Sequence, residues 1–168
     1  MNTKMFFTIL TSGLLFSLAS FSETIPPCLA GGQELLPNNA AVIGWKSSTQ
    51  NQYRNRAHIV GTLAKTYQDH SGHHHYSVLI GENQNDTIEV IYNEQFGPVP
   101  AADPGTAVEA CGDYITSNNS AGHFPVSPDG AIVHWVHQSP NPGTHDSGYL
   151  VMNGVVCGQE ASAAGPKR

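Results

Sequence analysis

The chain has 168 residues, with 7 lysines and arginines against 13 aspartates and glutamates, so its formal net charge is −6. An acidic surface of this kind repels phosphate backbones, which makes nucleic acid an unlikely partner. The length allows one domain with a substantial core and leaves little room for a second one.

The first 22 residues have the pattern of a secretory signal peptide. Lys4 precedes an uncharged run from Met5 to Phe16, and small residues follow up to Ser22. The run is too short to cross the roughly 30 Å hydrocarbon core of a bilayer, so no membrane anchor is expected after signal cleavage. The sequence therefore predicts an exported protein, periplasmic or secreted, whose mature chain begins at Glu23.

The mature chain divides into a leader, one domain and a tail. Residues 23–38 combine two prolines and two glycines with few core residues, which predicts an extended leader. A single β domain is predicted for residues 39–158 and a disordered tail for residues 159–168. Within the domain, residues 39–54 are the one predicted helix, with an asparagine as its cap.

Beyond the helix, apolar residues in short alternating runs predict strands. The predicted strands, in chain order, are residues 58–63, 76–80, 87–92, 106–115, 131–137, 149–152 and 155–157. The second and third should form a hairpin, and Asn153-Gly154 predicts a two-residue type I′ turn between the last two. Short strands with one helix favour a mainly β fold, namely a small closed or partly open oligonucleotide/oligosaccharide-binding-like barrel, with a β-sandwich as the alternative.

The chain contains three cysteines, and all of them lie after the predicted signal peptide: Cys28, Cys111 and Cys157. An oxidising compartment predicts a disulfide between two of them, and three pairings are possible. We favour Cys111 with Cys157, because both lie in predicted strands whereas Cys28 lies in the leader.

A signature in the C-terminal half resembles that of a known family. Its residues here are His134-Trp135-Val136-His137, Pro140, His145 and Gly148-Tyr149. With this HW-x-H…P…H…G-aromatic order, the chain from about His58 to Cys157 resembles an uncharacterised bacterial family of small exported domains. Tyr92, before Asn93, departs from the pattern, since a histidine is expected there. The resemblance implies a compact β-barrel-like exported domain and implies no known activity.

Nine histidines make metal binding a hypothesis to weigh, since neutral imidazoles bind zinc, copper and nickel. The candidate ligands are His73, in a histidine-rich loop before the second strand, and His134, His137 and His145. In a regular strand His134 and His137 point to opposite faces, so convergence requires a bulge or an early strand end near Val136. The alternative is a structural role, with His134 in the core and His145 anchoring its loop.

Two hypotheses of function follow. The first is a non-catalytic exported domain that binds an unknown ligand or protein, with ligand-binding candidates Asn93, Trp135, Asp146 and Tyr149. The second is a metal-dependent hydrolase that uses the histidines and a divalent metal such as zinc. We favour the first, because the sequence contains no Gly-x-Ser-x-Gly elbow, phosphate-binding glycine loop or HExxH motif.

Overall fold

The structure, a computed structural model, describes residues 24–141 and 143–160. The predicted signal peptide and most of the predicted tail lie outside the described residues. Within them, no helix is long and apolar enough to cross a membrane.

The described chain forms one helix and nine strands. In chain order they are β1 (Leu29–Ala30), β2 (Gln33–Glu34), α1 (Asn39–Ser48), β3 (Arg54–Thr66), β4 (His73–Leu79), β5 (Thr87–Asn93), β6 (Ala107–Thr116), β7 (Ala131–His134), β8 (Tyr149–Met152) and β9 (Val155–Cys157). A short 3-10 helix, Glu94–Phe96, follows β5. The predicted hairpin of the second and third strands is confirmed as β4 and β5, which pair antiparallel over their whole length.

Five of these strands close into a barrel, which confirms the predicted fold class. Their order is β3-β4-β5-β7-β6, and β6 pairs again with β3. The neighbours are antiparallel except β5 and β7, which are parallel. Closure leaves no edge strand in the barrel, while β8 and β9 continue the sheet from β6.

The long strand β3 makes closure possible, because it pairs with β6 along its first part and with β4 along its last. A register shift between Leu63 and Lys65 bends the strand at the crossover. At Gly61 a Cβ atom would lie 2.1 Å from the backbone oxygen of Leu79, so only glycine allows this approach of β3 to β4.

The core fills the barrel with side chains that alternate along each strand. Ile59, Val78, Val90 and Val133 are fully buried inside it. Burial of each such side chain contributes about 1.5–3 kcal/mol to the free energy that stabilises the folded state. The helix α1 adds Val42 to the same core, so it packs against the barrel instead of standing free.

The helix ends six residues earlier than predicted. Its last residue is Ser48, and Thr49 has extended backbone angles. Hydroxyl groups compete for the helix carbonyls here, since Ser47 and Ser48 both donate to the oxygen of Gly44. Asn38 stands at the N-cap without capping through its side chain, because its amide binds the backbone of β3 instead.

The last hairpin confirms the predicted turn. Asn153 has a φ of 52° and Gly154 a φ of 79°, and a type I′ turn requires positive values at both positions. β8 and β9 pair directly around it, with Met152 opposite Val155.

The predicted disulfide between Cys111 and Cys157 is wrong, since the bond joins Cys28 to Cys111. Alternation along the strands explains the error. Cys111 lies opposite Tyr149, on the outer face of the barrel, whereas Cys157 lies opposite Leu150 and belongs to the core. The two side chains therefore point to different faces of the sheet, and the buried Cys157 takes no part in the bond.

The leader reaches Cys111 because it folds onto the outer face of the barrel. β1 and β2 form a small antiparallel hairpin directly after Cys28. The side chain of Arg56 donates to the backbone oxygen of Leu29 at 2.9 Å, and the backbone nitrogen of Gly31 donates to Asp146 at 3.0 Å. Packing and hydrogen bonds against the domain thus order the leader, which composition alone predicts to be extended.

Candidate functional site

The histidine-rich tract is not the loop that the sequence predicts, because His73, His74 and His75 belong to strand β4. Tyr76 and Val78 of this strand belong to the core, so His73 and His75 point to the outer face. His73 lies opposite Asn93 of β5. One candidate metal ligand is therefore fixed on a rigid strand.

The signature histidines approach one another because β7 ends early. The strand stops at His134, and Trp135 has a φ of 53°, a conformation that is rare for a bulky residue. The Trp135 ring centre consequently lies 4.8 Å from that of His134 and 5.6 Å from that of His145. The early strand end that convergence requires is thus present at His134, two residues before Val136.

The four candidate metal ligands lie in one group together with Trp135. We call this group the histidine cluster, and its members are His73, His134, Trp135, His137 and His145. The ring centres of His73 and His134 are 6.2 Å apart, and those of His137 and His145 are 5.2 Å apart. Phe96 stacks on His137 at 3.6 Å between ring centres. The sequence candidates are therefore neighbours in space.

Backbone carbonyls fix the ring nitrogens of three of these histidines. In His73, Nδ1 lies 2.9 Å from the backbone oxygen of Ser71. In His137 and His145, Nδ1 lies 2.9 Å from the backbone oxygens of Gln138 and Asp146, respectively. A carbonyl oxygen only accepts, so Nδ1 carries the proton in each ring. In the neutral imidazole Nε2 then keeps its lone pair, which suits a hydrogen-bond donor or a metal ion.

Burial keeps two of these rings neutral. Burial, with smaller contributions from the nearby His73, His137 and His145, lowers the pKa of His134 to about 4. The pKa of His137 is also lowered, mainly by burial, although a hydrogen bond to Gln138 opposes the change. At neutral pH the rings of His134 and His137 are therefore uncharged.

Within the described residues, no three histidine, cysteine, aspartate or glutamate side chains are grouped so that they could hold one metal ion. In the histidine cluster, the ring of Trp135 is a neighbour of both His134 and His145. The assignment of the four histidines as metal ligands stays a prediction.

The other ligand-binding candidates have contacts within the fold. Asn93 accepts a hydrogen bond from the backbone of Gln95 and so caps the 3-10 helix. Asp146 accepts the bond from Gly31 that fastens the leader. Tyr149 is buried beside the disulfide and donates to Glu109 at 2.6 Å. Of the four candidates, only Trp135 belongs to the histidine cluster.

Farther along the outer face of β4 and β5, a buried polar network holds the loop between β6 and β7. Nδ1 of His75 lies 2.7 Å from Oε1 of Glu89, and the hydroxyl of Ser127 donates to Oε2 of the same carboxylate at 2.5 Å. The loop is also fixed by backbone bonds from Ser117 to Gly130 and from Ser127 to Ser117. This loop therefore lies on the sheet in one defined position.

Next to this network is a cavity of about 430 Å³, which we call the Asp129 cavity. Its walls come from α1, β3, the β4–β5 hairpin and the β6–β7 loop. The polar side chains that line it include Lys46, Lys65, Ser77, Gln84, Thr87 and Asp129.

Asp129 is the most unusual residue of the cavity, because it is a carboxylate with only 9% of its surface exposed. Its Oδ1 accepts hydrogen bonds from Ser77 at 3.1 Å and from Thr87 at 2.7 Å. Its Oδ2 and the hydroxyl of Tyr67 are both buried, and neither makes a hydrogen bond of standard geometry among the described residues. The two groups are nevertheless neighbours, since the pKa of Tyr67 is raised by burial first and by Asp129 as well. Such unsatisfied groups are uncommon in native proteins and call for an explanation.

Lys46 faces the same cavity from the last turn of α1. Its ammonium group donates to the backbone oxygens of Asn85 and Thr87, both at 2.7 Å. Burial lowers the pKa of Lys46, while the charges of Asp129 and Asp86 raise it. The lysine thus fastens the β4–β5 hairpin to the helix.

No local pattern in the sequence indicates this cavity. Pro128-Asp129-Gly130 is typical of a turn, and the other lining residues come from segments far apart in the chain. Only closure of the barrel brings them together.

The fold and the two sites define a class, namely a small disulfide-bonded closed β-barrel with a histidine cluster and a polar cavity on its outer face. Comparisons with protein-family models, curated proteins and solved structures found no match for the chain. The resemblance to small exported bacterial domains, carried by the His134-Trp135-Val136-His137 signature, stays a prediction.

Proposed function

We propose that the protein is an exported, non-catalytic domain that binds a small polar ligand in the Asp129 cavity. The observation that carries this proposal is the polar lining of the Asp129 cavity, in which the Asp129 carboxylate, held by Ser77 and Thr87, and the Lys46 side chain lie in one depression. Groups of both charges in one cavity favour a ligand that has hydrogen-bonding groups of its own.

The rigidity of the walls supports binding. The β6–β7 loop is fastened through Ser127 to Glu89, and the β4–β5 hairpin is closed by bonds from Asn83 to the carboxylate of Asp86. A preformed site loses little conformational entropy when a ligand enters. The volume of about 430 Å³ also lies within the range of about 300–1,000 Å³ that is typical of small-molecule sites.

The hydroxyl groups of the cavity favour binding over catalysis. Ser77 and Thr87 both donate their hydroxyl protons to the Oδ1 atom of Asp129. Oδ1 is therefore occupied as an acceptor by two hydroxyls that orient it. The arrangement resembles a fixed hydrogen-bonding surface more than a nucleophile with its base.

Export is part of the proposal. It is supported by the signal-peptide pattern of residues 1–22 and by the Cys28–Cys111 disulfide, since disulfides persist in oxidising compartments. The expected location is the periplasm or the extracellular medium. The net charge of −6 favours an uncharged or small partner over a nucleic acid.

A thermal-shift panel tests the binding function. The mature protein is melted with amino acids, polyamines, phosphate esters and sugars, each at millimolar concentration. We expect one class to raise the melting temperature, because a ligand at about 100 times its Kd stabilises a protein by about 2.7 kcal/mol. Asp129→Asn should lose this shift, while His123→Ala, an exposed position on the same loop, should keep it. The proposal fails if no class shifts the melting temperature, or if Asp129→Asn responds like the wild type.

A further inference from the structure

We infer that the leader is a redox-sensitive strap: reduction of the Cys28–Cys111 disulfide by a dithiol frees the leader and, through Arg56, loosens the loop between β7 and β8. This segment, the β7–β8 loop, carries Trp135 and His145 of the histidine cluster. The inference concerns control of that cluster and is independent of binding at the Asp129 cavity.

The disulfide is the main attachment of the leader. Among the described residues of the leader, only Cys28 is buried, and most of the others are exposed. Apolar burial therefore does little to hold this segment, while ordering each of its residues costs conformational entropy. The other attachments include a hydrogen bond from the backbone nitrogen of Gly31 to Asp146 at 3.0 Å. Another runs from Nδ1 of His58 to the backbone oxygen of Leu35 at 2.7 Å.

Arg56 joins the leader, the disulfide and the β7–β8 loop. The residue is buried, and its Nε donates to the backbone oxygen of Leu29 in the leader at 2.9 Å. Its Nη2 donates to Sγ of Cys111 at 3.2 Å and to the backbone oxygen of Ser147 in the loop at 2.5 Å. Its Nη1 forms an ion pair with Asp113 of β6 at 2.7 Å. Because the guanidinium group is planar and rigid, the disulfide and the loop share one anchor.

The leader also fastens the loop directly. The side chain of Asp146 accepts the hydrogen bond from Gly31, and its backbone oxygen accepts one from Nδ1 of His145. The ring centre of His145 lies 5.6 Å from that of Trp135 and 5.2 Å from that of His137. The leader thus holds the residue that orients His145, and a change in the leader reaches the histidine cluster through that residue.

The redox step is a thiol–disulfide exchange with a dithiol. One thiolate of the dithiol attacks Sγ of Cys28 to form a mixed disulfide, and Cys111 leaves as a thiolate. The guanidinium group of Arg56 stabilises the negative charge on this sulfur. The second thiol of the dithiol then displaces Cys28. The dithiol becomes a cyclic disulfide, and its two electrons and two protons convert the protein disulfide to two thiols.

Burial makes the leader control its own reduction. Cys28 is 1% exposed and Cys111 is fully buried, so a dithiol reaches the bond only after the leader has lifted locally. The hydrogen bond between Gly31 and Asp146 opposes this lifting. Loss of that bond should therefore speed up reduction of the folded protein, whatever the stability of the reduced form.

Hydrogen exchange followed by NMR, on the mature protein before and after reduction with dithiothreitol, tests the coupling. The amides of Ser139 and Gly148 report on the loop, because they donate to Ser147 and His137. We expect reduction to speed up their exchange at least about tenfold and to leave the amides of β4 and β5 protected. Unchanged loop exchange overturns the inference. Equal loss of protection in the loop and in β4 and β5 also overturns it, since the disulfide then only stabilises the whole fold.

The variant Arg56→Lys tests the anchor, because lysine keeps the charge and loses the rigid fork of donors. Its loop amides should already exchange fast in the oxidised protein, so reduction should add less than about twofold. The control Arg54→Lys, at an exposed position of the same strand, should respond like the wild type. A full tenfold response in Arg56→Lys refutes the coupling through Arg56.

The rate of reduction under native conditions tests the strap itself. After timed exposure to dithiothreitol, alkylation and mass spectrometry count the thiols of Cys28 and Cys111. Asp146→Ala should be reduced about fivefold faster than the wild type, the factor for the loss of one ordinary hydrogen bond. Asp103→Ala, an exposed position outside the leader and the loop, should match the wild type. Equal rates in all three proteins refute local lifting of the leader and with it the strap.

Discussion

The disulfide of the leader offers the sharpest test of the fold. Cys28 and Cys111 are 83 residues apart and both are buried. By the chain-entropy relation, closing a loop of this length stabilises the folded state by about 4.5 kcal/mol at 25 °C. The double variant Cys28→Ala/Cys111→Ala should therefore lose about 4–5 kcal/mol of unfolding free energy, which lowers the melting temperature by roughly 10–20 °C.

Urea denaturation of the oxidised wild type and of the double variant measures this loss. The control is Cys157→Ala, which removes a buried sulfur and leaves the disulfide in place. It should cost only about 1 kcal/mol, the value for a small loss of apolar burial. A double variant within 1 kcal/mol of the wild type contradicts the reasoning. A non-reducing peptide map that links Cys157 to either other cysteine contradicts it as well.

Three further predictions follow from the sites and the barrel. Burial lowers the pKa of His134 to about 4, so the unfolded state binds more protons than the folded state between about pH 4 and 6.5. The unfolding free energy should therefore fall as the pH is lowered through this window, and His134→Gln should reduce that fall by about 3 kcal/mol. An unchanged pH profile would show that His134 is not the group that titrates. In a zinc titration, His137→Ala and the exposed His123→Ala should have equal affinities, because no three side chains among the described residues are grouped to hold one ion. A tenfold loss of affinity in His137→Ala alone would establish a metal role for the histidine cluster. Gly61→Ala places a Cβ atom 2.1 Å from the backbone of β4 and should lower the unfolding free energy, measured by urea denaturation, by about 2–4 kcal/mol. Gly44→Ala, a position in α1 with open space around it, should be neutral or stabilising. Similar effects of the two variants would contradict the role of Gly61 in closure of the barrel.

The parts of the fold that depend on local chemistry can be predicted from the sequence. Asn153-Gly154 tolerates positive φ at both positions, so the turn between β8 and β9 follows directly from two adjacent residues. The alternating apolar residues of β4 and β5 likewise predict a hairpin with one buried face. Many short strands in one small domain then favour a closed barrel.

The errors have two sources, contacts between distant segments and local competition for hydrogen bonds. The pairing of Cys28 with Cys111 depends on a leader that is ordered only by contacts with the barrel, such as the bond between Gly31 and Asp146. The end of α1 at Ser48 depends on hydroxyl groups that compete for helix carbonyls. Neither effect has a periodic signal in the sequence.

The two sites differ in how far they can be predicted from the sequence. The histidine cluster was visible in part, because His134 and His137 are close in sequence and only the left-handed Trp135 was needed to bring His145 near them. The Asp129 cavity was invisible, since Asp129 lies in a turn pattern and its partners Ser77 and Thr87 lie about 40 to 50 residues earlier.

The most direct test of the binding function is an amide chemical-shift map of the ¹⁵N-labelled mature protein, titrated with the ligand class that stabilises it in the thermal panel. We expect saturable shifts at Ser77, Thr87 and Asp129, with little change at Trp135 and His145. Shifts confined to Trp135 and His145 would place the ligand on the histidine cluster and contradict a binding site at the Asp129 cavity.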